Sequence, residues 1–243
     1  MIARVKAALR PLRVYRAARF GWNFLRDPIF RHDHWLAWRQ PENLFQFRSI
    51  TAPDRYPYLF GYLRDAIATP QPHLLSFGCA TGEEVFSLRR YFPSAAIKGL
   101  DINPANIAAC RARLQATPDP TIAFEQNSSA DAEPPSSYAA VLALAVFQHP
   151  ALKHDRSVAI CASRLRFADY ERIVTGLAAC VQPGGYLVIR HSMFRFADTV
   201  CSKDFSVRLE QPVEATFFPR FDRENRRLPD ASTEQVVFQK LLL

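Results

Sequence analysis

Between residues 58 and 190 the chain switches repeatedly between two hydrophobic patterns. Short apolar runs at 74–77, 96–100, 121–124, 138–144 and 186–189 have the length of strands, and the stretches between them read as helices. This alternation predicts βαβ units and a parallel sheet. Tyr58, Leu59, Tyr62, Leu63 and Ile67 fall at helical spacing before Pro70-Gln71-Pro72 stops the helix. Asn103 is placed to cap a helix that starts at Pro104 and carries Ile107, Cys110 and Leu114. Phe167, Tyr170, Ile173, Val174, Leu177 and Val181 trace another apolar stripe, which Pro183-Gly184-Gly185 is expected to end.

The pattern differs on either side of this region. Residues 1–55 are basic, aromatic and poor in glycine, and are expected to form a helical extension to a domain spanning 56–243. Ile2, Val5, Leu9 and Leu12 suit one helical face, opposite arginines, although Pro11 interrupts it. From Phe20 to Phe47 the aromatic residues carry too much apolar surface to stay in water, and either a lid over the main domain or docking elsewhere on its core would bury them. After His191, segments 216–221 and 235–242 are expected to pair as an antiparallel hairpin at the sheet edge. No internal repeat appears.

Composition adds a charge asymmetry. The 243 residues hold 31 Lys and Arg against 23 Asp and Glu, a net +8. Arg4, Lys6, Arg10, Arg13, Arg16, Arg19 and Arg26 fall within the first 26 residues, which contain no acid, so this segment is the candidate for a weak anionic surface contact. The remainder is nearly balanced. Five scattered cysteines without metal-ligand spacing fit reduced thiols and a cytoplasmic protein, and no apolar run is long enough to span a bilayer. His32-Asp33-His34 lacks a third ligand at convincing spacing and reads as a polar turn.

The most informative stretch is "LLSFGCATGEEV", residues 74–85. A strand entering small residues at Gly78, Ala80 and Gly82 lets the backbone turn tightly and lets a ligand approach closely. Asp101, 19 residues beyond Gly82, ends the next run in "GLDIN", where a carboxylate can accept both hydroxyls of a ribose. The spacing is not the G-x-G-x-x-G of nicotinamide cofactors. It resembles the first motif of class I S-adenosylmethionine-dependent methyltransferases. The resemblance extends over most of 73–192, through "YAAVLALAVFQH" and "LAACVQPGGYLVIRHS".

That family implies an α/β fold: a Rossmann-like, doubly wound, mostly parallel seven-stranded sheet with a C-terminal antiparallel hairpin, here preceded by the helical N-terminal extension. It implies S-adenosyl-L-methionine as cofactor. Gly78, Cys79, Ala80 and Gly82 would wrap the amino acid end, flanked by Phe77, and Asp101 would hold the ribose. Ile102 would pack on the adenine, Asn127 or Ser128 would lie near its amino group, and Ala143 and Leu144 would begin the wall beside the sulfonium. Ser76 stands where many relatives have an acid, so Glu83 or a backbone carbonyl is expected to meet the cofactor's ammonium.

Methyl transfer is an in-line displacement that requires no metal and depends on placing the nucleophile and excluding water. A hydroxyl acceptor gains from a base of near-neutral pKa, and His149 and His191, just past the fourth and fifth strands, are the candidates. Segments 150–166 and 192–204 mix basic and apolar residues where this fold builds its substrate pocket, which suits an acidic or glycosylated small molecule. The expected function is O- or N-methylation of a small-molecule acceptor such as a glycan, lipid or secondary metabolite. An RNA methyltransferase ranks lower, because the basic charge is one short segment without a separate RNA-binding module. A non-catalytic cofactor-binding protein is the third reading, and the intact loop and Asp101 speak against it.

Overall fold

The computed structural model describes residues 13–153, 155, 157–213 and 219–242. Helices α1 (Arg13–Arg26) and α2 (Pro28–Arg39) come first. Asp27 separates them by capping α2, its Oδ1 accepting from the amides of Ile29 and Phe30 at 3.0 Å each, with Pro28 in the first turn. The basic residues and apolar face expected within 1–12 lie outside the described residues.

After an extended strap over 40–55, the chain continues through α3 (Pro57–Ala66), β1 (His73–Phe77), α4 (Glu83–Tyr91), β2 (Ala96–Asp101), α5 (Pro104–Ala116), β3 (Ile122–Gln126), β4 (Tyr138–Leu144), α6 (Phe167–Cys180), β5 (Val181–Arg190), β6 (Phe205–Pro212) and β7 (Thr233–Lys240). Among the described residues these strands form a seven-stranded sheet in the order β3-β2-β1-β4-β5-β7-β6. The first five are mutually parallel, and β7 runs antiparallel to both β5 and β6. The expected Rossmann-like, mostly parallel seven-stranded sheet with an antiparallel C-terminal hairpin is therefore present.

Alternate residues of the central strands feed two cores. Leu75, Phe77, Val141, Ala143, Leu187 and Ile189 pack with the apolar stripe of α6. Leu74, Ala140, Leu142 and Val188 pack on the other face with α3, α4 and α5. Burial on both faces explains why these strands read as continuous apolar runs.

Two boundaries differ from expectation. Helix α6 ends at Cys180, three residues before Pro183, and β5 starts at once, with Val181 opposite Tyr138. The next pair is Ala140 with Tyr186, so residues 182–185 bulge out of the ladder around Gly184, whose φ is +76°. Pro183-Gly184-Gly185 thus shapes a strand rather than ending a helix.

The edge hairpin uses a different first arm. Its partner for β7 is Phe205–Pro212, and residues 214–218 lie outside the described residues. Phe221 instead makes isolated bridges with Phe194 and Arg227 inside the core. Register shifts at Val207/Leu209 and Leu209/Glu210 break the alternation by which β6 would have been recognised.

Candidate active site

The chain leaves β1 toward β2 and β3, then returns to β4 on the other side of β1, so a crevice opens at the carboxyl ends of β1 and β4. The loop after β1 turns through left-handed conformations at Gly78 (φ +73°), Ala80 (φ +48°) and Gly82 (φ +86°), the three small positions of the motif. The amides of Gly78 and Cys79 both donate to the Leu100 carbonyl, at 2.8 and 3.0 Å. A Cβ at Gly78 would lie 2.5 Å from Val146 Cγ2, so only glycine lets this loop meet the β4 loop. Asp101, 7% exposed, accepts from the Ala80 amide at 2.8 Å through Oδ2, and from the Asn103 amide and Asn106 Nδ2 at 2.8 and 3.0 Å through Oδ1. Burial raises its pKa against these three hydrogen bonds.

A cavity of about 230 Å³ occupies the crevice. Phe77, Gly78, Ala80, Asp101, Ile102, Asn127, Ser128 and Leu144 line it, eight of the twelve residues expected at the cofactor. The loop, Asp101 and the small cradle fit S-adenosylmethionine. The other four are placed differently. Cys79 is buried beside a smaller adjoining cavity, and Gly82 is the N-cap of α4, closely packed by Cys110 and Phe86. Ala143 points into the α6 core.

Glu83 turns outward to Arg113, at 2.7 Å, because the first turn of α4 directs it away from the crevice. The next residue faces inward. Glu84 accepts from Ser76 Oγ at 2.7 Å and lines the adjoining cavity with Gly78, Cys79 and Ala80. Desolvation pushes its pKa up to about 7, opposed by the Ser76 hydrogen bond and by Arg55. Position 76 carries no acid, but its hydroxyl holds the Glu84 carboxyl at the edge of this loop, and the inward-facing turn of α4 was the feature that sequence spacing could not resolve.

The other half of the crevice comes from the strap, whose residues 43–50 line the cavity together with Asp33 of α2. Asp33 Oδ1 accepts from Ser49 Oγ and Asn103 Nδ2, both at 2.8 Å, and Oδ2 accepts from the Ser49 amide at 3.0 Å. Asn106 Nδ2 donates to Ser49 Oγ at 2.8 Å and also reaches Asp101. The strap is therefore clasped to the carboxylate expected at the ribose. His32-Asp33-His34 lies within α2 rather than a turn; His32 and His34 bond the carbonyls of Pro28 and Phe30 through Nδ1.

Beyond the strap lies a second cavity, of about 740 Å³. It shares Asn43, Leu44, Phe45 and Phe47 with the first, and its far wall carries His149, Arg164, Arg166 and Arg172. Asn43 spans both sides, donating to Ser128 Oγ at 3.2 Å and accepting from Arg172 at 2.6 Å. His149 packs edge-on against Phe47, and its Nδ1 accepts from the Ala151 amide at 3.2 Å. That bond leaves the proton of the neutral ring on Nε2, so His149 presents a donor. Burial, reinforced by Arg164, lowers its pKa.

His191 lies elsewhere. It follows β5 in a left-handed turn (φ +55°), is 8% exposed, and sits with Nδ1 3.1 Å from the Tyr56 hydroxyl. Desolvation, with Arg190, Arg55 and Lys153, lowers its pKa to about 3, which makes it a weak base. It lines neither of the two cavities. Among the described residues no cluster of three or more His, Cys, Asp or Glu side chains converges on a metal position.

Comparison with known proteins agrees with this geometry. Residues 75–187 match the family model described as a methyltransferase domain. No curated protein sequence matches the chain. Among solved structures, TrmN from Thermus thermophilus aligns with a TM-score of 0.51 at 17% identity, over 80% of this chain and 50% of that one. The YcgJ protein from Bacillus subtilis aligns with a TM-score of 0.50 at 9% identity, over 77% of this chain and 100% of that one. The amino pentose methyltransferase CalS10 from Micromonospora echinaspora, solved with S-adenosylmethionine bound, aligns with a TM-score of 0.42 at 22% identity, over 64% and 54%. The chain spans less than half the length of other structures it resembles, 42–44% of a [4+2]-cyclase and of geranyl diphosphate methyltransferases. The fold and the site define an S-adenosylmethionine-binding protein of Rossmann-like architecture. Residues 75–187 are similar to a methyltransferase domain, and the cofactor that such a domain implies is S-adenosyl-L-methionine.

Proposed function

We propose that this protein transfers a methyl group from S-adenosylmethionine to an oxygen or nitrogen of an acidic small molecule. The cofactor supplies an electrophilic methyl group on a sulfonium. The loop from Gly78 to Gly82 takes its amino acid end, and Glu84 takes the ammonium. Asp101 receives the ribose hydroxyls, while Ile102 with Asn127 and Ser128 borders the adenine. Leu144, Ala145 and Val146 exclude water beside the reacting centre. The strap carries the small-molecule reading: it closes the crevice and leaves, on its far side, a cavity suited in size to a metabolite.

Three arginines face Glu42 and Asp169 in that cavity, leaving one cation in excess. Arg166 and Arg172 approach Asp169 at 2.7 and 3.6 Å, which leaves Arg164 to receive an anionic group of the acceptor. His149 Nε2–H donates to the same acceptor and orients it. The His149-base reading requires the ring to release Ala151 first.

Calorimetry with S-adenosylhomocysteine tests the cofactor site, and incubation of extract fractions with methyl-labelled cofactor tests the acceptor. Label in an anionic metabolite fraction is the expected result. Label in RNA would establish the alternative substrate class, and cofactor binding with no labelled product in any fraction would leave a binding protein.

A further inference from the structure

Helix α1 carries a surface that the methyl-transfer site does not use. At about 100° per residue, Val14, Ala18, Trp22 and Leu25 share one stripe about 80° wide. The opposite side is the one that packs: Phe20 lies 5.4 Å from the Phe30 ring and 4.9 Å from His34, and Phe24 stacks on Phe20 at 5.9 Å. The stripe itself faces water, with Val14 82%, Trp22 57% and Leu25 78% exposed. Isolated exposed apolar residues are ordinary, but an aligned set on one helix face is an interaction surface.

The charges flanking the stripe identify its partner. Arg19 and Arg26 lie along one border of the stripe, beyond Trp22, and the Arg26 guanidinium lies 4.0 Å over the Trp22 ring. Arg16 and Arg19 are exposed and have no acid within their own helix, which contains none. An aromatic and aliphatic face edged by arginines matches the boundary between lipid headgroups and acyl chains, where the rings and Leu25 enter hydrocarbon and the guanidinium groups meet phosphate. Nucleic acid would satisfy the arginines and leave Val14 and Leu25 uncovered. With 14 residues the helix is too short to cross a bilayer, and no described helix is long and apolar enough to do so.

We propose that α1 lies flat on anionic membrane surfaces, its Val14, Ala18, Trp22 and Leu25 face inserted among the lipids. This attachment is independent of the acceptor and of the methyl-transfer reading.

The test is co-sedimentation of the full chain with phosphatidylcholine vesicles containing about 30% phosphatidylglycerol, compared with pure phosphatidylcholine. Partitioning should favour the anionic vesicles by about tenfold or more, and should fall as salt shortens the reach of the arginines. The double variant Trp22→Ser, Leu25→Ser removes exposed side chains only. It should cut partitioning by about tenfold or more while leaving S-adenosylhomocysteine affinity and the circular dichroism spectrum unchanged. Equal binding to both vesicle types, or unaltered binding by the double variant, overturns the proposal. So does binding to RNA that survives the double substitution while vesicles are ignored.

Discussion

Glu84→Gln isolates the link between proton and cofactor at the crevice. In the cofactor-free protein the Glu84 carboxyl, pushed up to about 7 by desolvation, is about half protonated at neutral pH and about 90% protonated at pH 6. Meeting the cofactor's ammonium requires the carboxylate, so binding must release a proton wherever the free site holds one. Affinity for S-adenosylhomocysteine should therefore rise about tenfold between pH 5.5 and 6.5 and level off above 7. It should decline again above about 8, where an α-amino group deprotonates. Isothermal titration calorimetry in two buffers of different ionisation enthalpy reads the proton directly: close to one released at pH 6, and a small fraction at pH 8. The variant keeps the Ser76 hydrogen bond and loses the charge, which should weaken binding by about 1.5–3 kcal/mol, roughly 10- to 150-fold, and abolish the rise with pH. An affinity independent of pH between 5.5 and 7, or a Gln variant that binds as tightly as the parent at pH 7.5, would refute the assignment of the ammonium to Glu84.

Asp33→Asn breaks the charged centre of the strap clasp, and tryptic cleavage after Arg48 or Arg55 should accelerate about tenfold if about 1.4 kcal/mol of docking is lost; an unchanged cleavage rate would show that something else holds the strap. His149→Ala should raise the acceptor KM by about tenfold with the pH profile of turnover preserved, whereas a fall of about 10²–10⁴-fold in kcat would restore the base reading. His191, with a folded pKa lowered from 6.5 to about 3, binds protons more readily when unfolded, so it contributes stability above about 6.5 that is lost as pH falls toward 3. Urea unfolding at pH 6.5 and 4.5 should show the parent losing about 2–3 kcal/mol more than His191→Gln. Glu84 acts in the opposite sense, contributing stability below about 4.5 that is lost as pH rises through about 7, so each variant must be compared with the parent at the same pH.

The parallel sheet was legible because β4 and the second half of β5 are buried on both faces and carry unbroken apolar runs, while β1 and β2 are interrupted only by Ser76 and by Lys98. Gly78 and Asp101 were legible for a different reason, since a backbone turn and a carboxylate at successive strand ends are local chemistry. Contacts between distant segments were not. Asp33 reaches Asn103 across 70 positions and Asn43 reaches Ser128 across 85, and no local pattern announces either. The exchange of Glu83 for Glu84 illustrates a finer limit: one step along a helix rotates a side chain by about 100°, enough to turn it from crevice to solvent. The expected burial of the aromatic N-terminal stretch is partial, since Phe45 is buried while Trp38 remains 79% exposed.

The clasp also sets an order of events during synthesis. Ser49 and Asn106 are 57 positions apart, with β1 and β2 between them, so the strap leaves the ribosome before the surface that receives it exists. Closing such long loops precedes any reward from the contacts they bring, which makes docking of the strap a late step in maturation. A nascent chain arrested after residue 150 should already protect the β1 and β2 amides from hydrogen exchange, whereas arrest at residue 95 leaves 43–50 as open to protease as an unfolded peptide. A segment made before its receiving surface is thus among the last to find its place, and until then the newly made crevice stands open to the cofactor.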